Sequence, residues 1–486
     1  MNQQTQTTTP PNAADPFSKP PPKPLPRWSH WIVWCVAGIT FLICGLQDRR
    51  RVLHTMHLAV QNYINDFDRW MHMLPGFLFD HHPMINDLWP MPPTTLGLLA
   101  PFAWVSPANA QLIWALCKLP MVMLIFYLCR SMVRKAGSRF EWPALVLLGL
   151  IWFWPIIGDV QEGQMNLFML TPMVIGLWLA QLDESWANWP AGFMLALAVC
   201  IKVTPVIFLV YMLWRRRWSV AVAMVVGMAF WIFGFGTLCF GWSQNLAWWH
   251  QWTHIMITPY VLKGTVAVSS SESIPSFLNR LLTHTPAFVS LAGGKHINHY
   301  CNILNLPEPI ARHIIRGLLV CIGIIGLIWM RRPLPSLRCR RYILELGAIA
   351  AFMLWAEEWS WVPHYVTLVL TLSAAVMILC DVEASTAARR RVLYALIAAA
   401  VLMLFTSDID KIFGHNGPNW GRTIDPVLFA GIILVWAIMF SGYPDAIARK
   451  IGEPEYAWHT PELTNPVQVK GGQPFEAGTG AERHRT

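Results

Sequence analysis

The sequence predicts an all-α polytopic membrane protein with about twelve transmembrane helices and a juxtamembrane outer loop after the first. Three observations lead there. Of 486 residues, 55% are hydrophobic and only 13% are charged, whereas a soluble domain carries about 25% charged residues. Mean hydropathy is +0.41. Apolar runs recur from residue 29 to residue 441, without the short alternating segments of about ten residues that mark a β-barrel.

Residues 1–28 are polar and Pro-rich, as in "KPPPKPLPRW", and read as a disordered cytoplasmic leader. They lack the short apolar core and small-residue cleavage site of a signal peptide. The membrane domain is expected over 29–443. Its spans are expected at 29–46, 109–129, 141–157, 165–182, 189–201, 203–214, 219–241, 310–330, 343–356, 362–380, 392–406 and 424–441. Several fall short of the roughly 20 residues that cross a bilayer; short helices persist where their ends border a protein-lined cavity. A polar tail, 444–486, is expected to be disordered and cytoplasmic.

Lys and Arg gather in "RSMVRKAGSR" (130–139), "RRR" (215–217), "RRPLPSLRCRR" (331–341) and "RRR" (389–391). The positive-inside rule places these loops and both termini in the cytoplasm. The net charge of +9 is therefore a membrane-topology signal, and no nucleic-acid partner is expected. Ten cysteines lie mostly within apolar runs and show no paired spacing, so they read as packed thiols. The outer face then receives the loops 47–108 and 242–309, the turns at 158–166 and 201–205, the segment 357–365 and the loop 406–417. "DRRR" (48–51) strains this assignment, and the apolar piece 94–106 must lie in the interface or dip in without crossing. Ionisable residues collected at one membrane face mark a functional site by default.

The ordered motifs resemble the GT-C membrane glycosyltransferases, most closely glycosyltransferase family 87. They are "DFDRW" (66–70), "PMPPTTLGLLAPFAWV" (90–105), "GQMNLFML" (163–170), "GFMLALAVCIKVTPVIFLVYMLWRRRW" (192–218), "SESIPSFLNRLL" (271–282) and "SWVPHY" (360–365). The family includes polyprenyl-phosphate-mannose-dependent α-mannosyltransferases. The resemblance implies a GT-C-type fold in the plasma membrane, a polyprenyl-phosphate sugar donor and a lipid- or glycan-linked acceptor. Its active site would lie on the outer face. Mannose is the implied sugar, with arabinofuranose the next candidate. This sequence departs from the family pattern at Ser271 and Glu272, at Pro363 in place of a histidine, and at the added pair Glu357 and Glu358, to which no role is assigned.

The chemistry of such a transfer needs a carboxylate base near the acceptor hydroxyl and donors or cations on the departing phosphate. One base opposite one leaving group implies inversion. By resemblance, Asp66 is the base; the plainer reading is a loop carboxylate capping a helix, and Asp68 is an alternative base. Asp66 and Asp68 also form a D-x-D pair that could hold a divalent cation, though no cofactor is expected. Lys202, between two apolar half-helices, either binds phosphate or snorkels to the interface. Arg280 either binds phosphate or faces lipid headgroups. His364 is expected to meet the leaving phosphate or the acceptor, with Trp361 and Tyr365 beside it in the substrate-binding set. Gln164 and Asn166 either bind sugar hydroxyls or cap the next helix. The tryptophans, "AWWHQW" (247–252) included, read first as interface anchors. A lipid or solute transporter is the competing class, but no repeated halves with paired broken helices are evident. A non-catalytic scaffold would not need Asp66, Lys202 and His364 together.

Overall fold

A computed structural model describes residues 28–55, 63–84, 88–138, 142–263, 271–292, 295–334, 336–405, 419, 421 and 423–444. The expected leader, nearly all of the tail and the loop 406–417 lie outside these residues. The helices are α1 (Trp28–Thr55), α2 (Asp66–Asp80), α3 (Thr94–Leu99), α4 (Pro107–Lys135), α5 (Trp142–Gln161), α6 (Asn166–Gln181), α7 (Ser185–Ile201), α8 (Ile207–Trp214) and α9 (Trp218–Ala229). They continue with α10 (Gly236–Phe240), α11 (Trp242–Trp252), α12 (Ile274–Leu282), α13 (Glu308–Trp329), α14 (Arg340–Ala356), α15 (Val369–Cys380), α16 (Thr386–Leu404) and α17 (Pro426–Met439).

Every apolar run read from the sequence falls in a helix. Length and composition alone suffice to cross a membrane in five of them: Ile32–Thr55, Pro107–Lys135, Trp218–Phe240, Glu308–Trp329 and Val362–Cys380. The others are shorter or less apolar, so helix length and composition do not by themselves establish twelve crossings. The five divide by position. The window in Val362–Cys380 is 83% buried within the protein, and that in Glu308–Trp329 only 11%. The core therefore centres on α15 and the helices around it, while α13 lies at the periphery.

Three features depart from the sequence expectation. Helix α1 runs on to Thr55, so "DRRR" continues the helix and does not begin a loop. Its Asp48 is buried and pairs with Arg51 at 3.5 Å, an i,i+3 contact that only a helix supplies. The segment 242–309, expected as an outer loop, is largely secondary structure among its described residues, and it includes an antiparallel strand pair, β1 (Phe288–Ala292) with β2 (Lys295–His299), in which Phe288 faces His299. Among the described residues the chain is helical with one small sheet. The helix that contains α9 and α10 passes through a π-helical segment, Phe230–Phe235. By contrast, 94–106 holds only α3 and a 3₁₀ turn, Ala100–Trp104. At about 1.5 Å per residue this piece is too short to cross.

Close helix contact follows from small residues. A side chain at Gly192 on α7 would meet the Val220 carbonyl and the Met224 amide on α9, each at 2.6 Å. Bare backbone there lets α7 and α9 approach closely, as membrane helices do at small residues.

Candidate active site

Helix α2 begins at an Asn65 cap, whose side chain accepts from the Asp68 amide at 2.9 Å. Asp66 and Asp68 sit in the first turn, where the helix dipole favours negative charge. The Asn65 amide also donates to the Gln161 carbonyl at 3.1 Å, and the Asp66 amide donates to the Glu162 carbonyl at 3.2 Å. These bonds dock the start of α2 onto the turn between α5 and α6.

That turn is built on Gly163, whose φ is +64°. A Cβ at that position would lie 2.7 Å from both the Cβ and the amide nitrogen of Phe67, so both the conformation and the contact require glycine. The Gln164 amide nitrogen donates to the Asp159 carbonyl at 3.0 Å. Lys118 donates to the same carbonyl at 2.6 Å and pairs with the Asp159 carboxylate at 2.8 Å, both side chains being fully buried. The turn therefore rests on a buried ion pair between α4 and α5.

Two side chains leave this turn with different tasks. Gln164 donates to one oxygen of Asp66, and Arg69 holds the other at 2.9 Å. The Asp66 carboxyl remains 24% exposed. Burial raises its pKa above the ordinary aspartate value, while Arg69 and the Gln164 hydrogen bond oppose that shift. Asn166 accepts from Lys202 at 3.2 Å. Lys202 caps the C-terminus of α7 in extended conformation, with φ −149° and ψ 130°; the helix breaks there, and the lysine stays at the break. Residues 163–166 thus tie Asp66 to Lys202.

Lys202 also pairs with Glu357 at 2.7 Å, and the other Glu357 oxygen lies 3.8 Å from His364 Nδ1. Nδ1 accepts the Trp361 backbone amide at 3.3 Å. The proton of a neutral imidazole then sits on Nε2, which becomes a donor. Ser271 pins the segment carrying Glu357: its hydroxyl accepts the Ser360 amide at 3.0 Å and donates to the Glu358 carbonyl at 3.1 Å. The Glu272 amide adds a bond to the Ser360 carbonyl at 2.6 Å.

The structure therefore gathers Asp66, Gln164, Asn166, Lys202, His364 and Trp361 along one continuous set of contacts. Three expected residues stand apart from it. Asp68 is buried, accepts the Ile64 amide at 3.1 Å and lies 3.5 Å from His72; it engages different partners from Asp66. Arg280 is buried, donates to the Ser271 carbonyl at 3.0 Å and to Ser276 at 2.8 Å, and pairs with Asp425. It braces the 271–273 segment. Tyr365 is also buried, and its hydroxyl donates to the Glu272 carbonyl. Arg280 and Tyr365 thus both hold the backbone of residues 271–272, which bond to the segment after α14.

Sequence reasoning passed over Arg69 and assigned no role to Glu357. Arg69 was legible, since an Arg three residues after Asp66 on a helix faces it. Glu357 had no local signal, because its partners come from α7 and from the turn after it.

The profile of Glycosyltransferase family 87 matches residues 89–344, over half of the chain. The chain belongs to glycosyltransferase family 87. The matched segment of this family 87 glycosyltransferase contains Gln164, Asn166, Lys202 and Arg280; Asp66 and His364 lie on either side of it. Among similar proteins is a polyprenol-phosphate-mannose-dependent alpha-(1-2)-phosphatidylinositol mannoside mannosyltransferase of Mycobacterium tuberculosis, 25% identical over 431 residues, which cover 83% of this chain and 87% of that one. A protein of the same description from Mycolicibacterium smegmatis is 27% identical over 234 residues, covering 44% of this chain and 49% of its own. No solved structure matches significantly.

Proposed function

We propose that this glycosyltransferase moves mannose from a polyprenyl-phosphate-mannose donor to a hydroxyl of a lipid- or glycan-linked acceptor, at the outer face of the plasma membrane and with inversion. Asp66 takes the proton from the acceptor hydroxyl. The hydroxyl oxygen forms a bond to the anomeric carbon as that carbon's bond to the phosphate oxygen breaks. The polyprenyl phosphate leaves with the bonding electrons, and Lys202 and the Nε2–H of His364 meet its charge. Gln164 and Arg69 orient the base. Trp361 holds His364 in the donating tautomer.

The observation that carries this reading is the 163–166 turn, which links a part-exposed carboxylate to a helix-end lysine through Gln164 and Asn166. Base and phosphate ligand then keep a fixed separation, as a single displacement requires. The activity named for the two mycobacterial relatives favours mannose over arabinofuranose, and a phosphatidylinositol mannoside as the first acceptor to test. No cofactor enters the reaction as written.

The test is transfer by purified protein from synthetic polyprenyl-phosphate mannose to phosphatidylinositol mannosides, with products identified by mass and by linkage. Transfer with an inverted anomeric configuration is expected. Retention of configuration, or full activity on a nucleotide sugar alone, refutes the proposal.

A further inference from the structure

We propose that Glu357 is the resident anion of the donor-phosphate site: its carboxylate holds the place on the Lys202 ammonium that a polyprenyl phosphate takes, and it must swing out for the phosphate to bind. This rests on the reading of Lys202 as a phosphate ligand.

The geometry is that of an anion already seated. One carboxylate oxygen lies 2.7 Å from Lys202 Nζ; the other, 3.8 Å from the accepting Nδ1 of His364, makes no hydrogen bond among the described residues. A carboxylate and a phosphate oxygen make equivalent charge-assisted bonds to an ammonium. The Glu357 side chain is only 10% exposed, and two anions in so poorly solvated a space repel strongly. Phosphate and carboxylate therefore compete for Lys202 and cannot share it.

The carboxylate is held lightly enough to leave. Among the described residues its second oxygen has no hydrogen-bond partner. Its backbone lies in the connection after α14, which Ser271 fixes at Glu358 and Ser360 but not at Glu357. Breaking one salt bridge frees the side chain, and the incoming phosphate restores Lys202 its counter-ion. Burial raises the Glu357 pKa while Lys202 opposes it. This too marks a carboxylate whose charge depends on that lysine.

The arrangement has a use in turnover. A ligand that binds only after displacement of a resident group has its apparent affinity reduced by the fraction of open sites. Donor and polyprenyl-phosphate product both incur this reduction, so the returning carboxylate helps expel the product.

The experiment measures binding of farnesyl phosphate to the purified enzyme and four variants. Glu357→Gln keeps an acceptor for Lys202 and removes the charge. It should bind about tenfold tighter, with product inhibition strengthened in parallel. Lys202→Ala should bind at least about tenfold weaker. Glu358→Gln, at the adjacent residue, should be unchanged. If Lys202→Ala binds like the parent, the phosphate reading itself fails. If Lys202→Ala weakens binding and Glu357→Gln does not tighten it, only the resident-anion proposal fails. Glu357→Ala repeats the test with a side chain too short to reach Lys202. Failure of both Glu357 variants to fold would make the residue a structural counter-ion and overturn the proposal as well.

Discussion

Gly163→Ala probes the site without touching a catalytic group. The backbone at Gly163 has φ +64°. Left-handed backbone costs an L-residue such as alanine roughly 1–2 kcal/mol. The added methyl would lie 2.7 Å from the Phe67 amide nitrogen and Cβ and 2.9 Å from Asn65 Oδ1. Overpacking against backbone typically adds about 1–3 kcal/mol. The sum, about 2–5 kcal/mol, can be relieved only by shifting the turn away from α2. That shift stretches the Gln164 contact to Asp66 and displaces Asn166 from Lys202. A misplacement of about 1 Å can cost on the order of 100-fold in rate. We expect Gly163→Ala to lower Tm and to reduce mannosyl transfer at least about tenfold. The control is Gly137→Ala, where φ is +75° but nothing lies within 4 Å of the added carbon; it should lose a little stability and no activity. Turnover and unfolding temperature measured together decide the matter. A Gly163→Ala enzyme with parental values of both would refute the claim that this turn sets the geometry of the site.

Asp66→Asn should cut turnover at least about 100-fold, in line with a lost general base, while leaving donor binding nearly unchanged; comparable loss in both would make Asp66 a binding residue. Because burial raises the Asp66 pKa and a base works only when deprotonated, kcat/KM should fall on the acid side from a pH above the ordinary aspartate range near ~4; Arg69→Gln should move that limb to still higher pH, and an unmoved limb would mean Arg69 does not face the titrating group. Lys118→Met leaves Asp159 buried without its cation and should cost about 3–5 kcal/mol, read as a lowered Tm, with much of the loss recovered in Lys118→Met/Asp159→Leu. On a cysteine-free background, Val289→Cys should react from outside with an impermeant thiol reagent and Ser336→Cys should not; the reverse pattern would place the site on the cytoplasmic face.

The helices were legible because a bilayer demands long apolar runs and basic loops, and both are properties of composition along the chain. A helix starting at "NDFDRW" was legible too, but the cap is Asn65 and not Asp66, whose carboxyl Arg69 holds from one turn on. The break at Lys202 was readable from one lysine and one proline between two apolar stretches. The strand pair in 288–299 was missed because short strands within a helical chain carry a weak periodic signal. Arg280 reads in the sequence as a phosphate or lipid-headgroup contact, and what the sequence cannot display is Asp425, 145 residues away, which pairs with it inside the protein. The same holds for Glu357, which reads in the chain as one of two adjacent acids and becomes the partner of Lys202 only when α14 and α7 end at the same place. Local chemistry fixes which residues are helical, capped or basic. Which charges neutralise one another is decided by folding, because burial removes water as the alternative partner and leaves each charged group only the neighbours that tertiary packing brings to it.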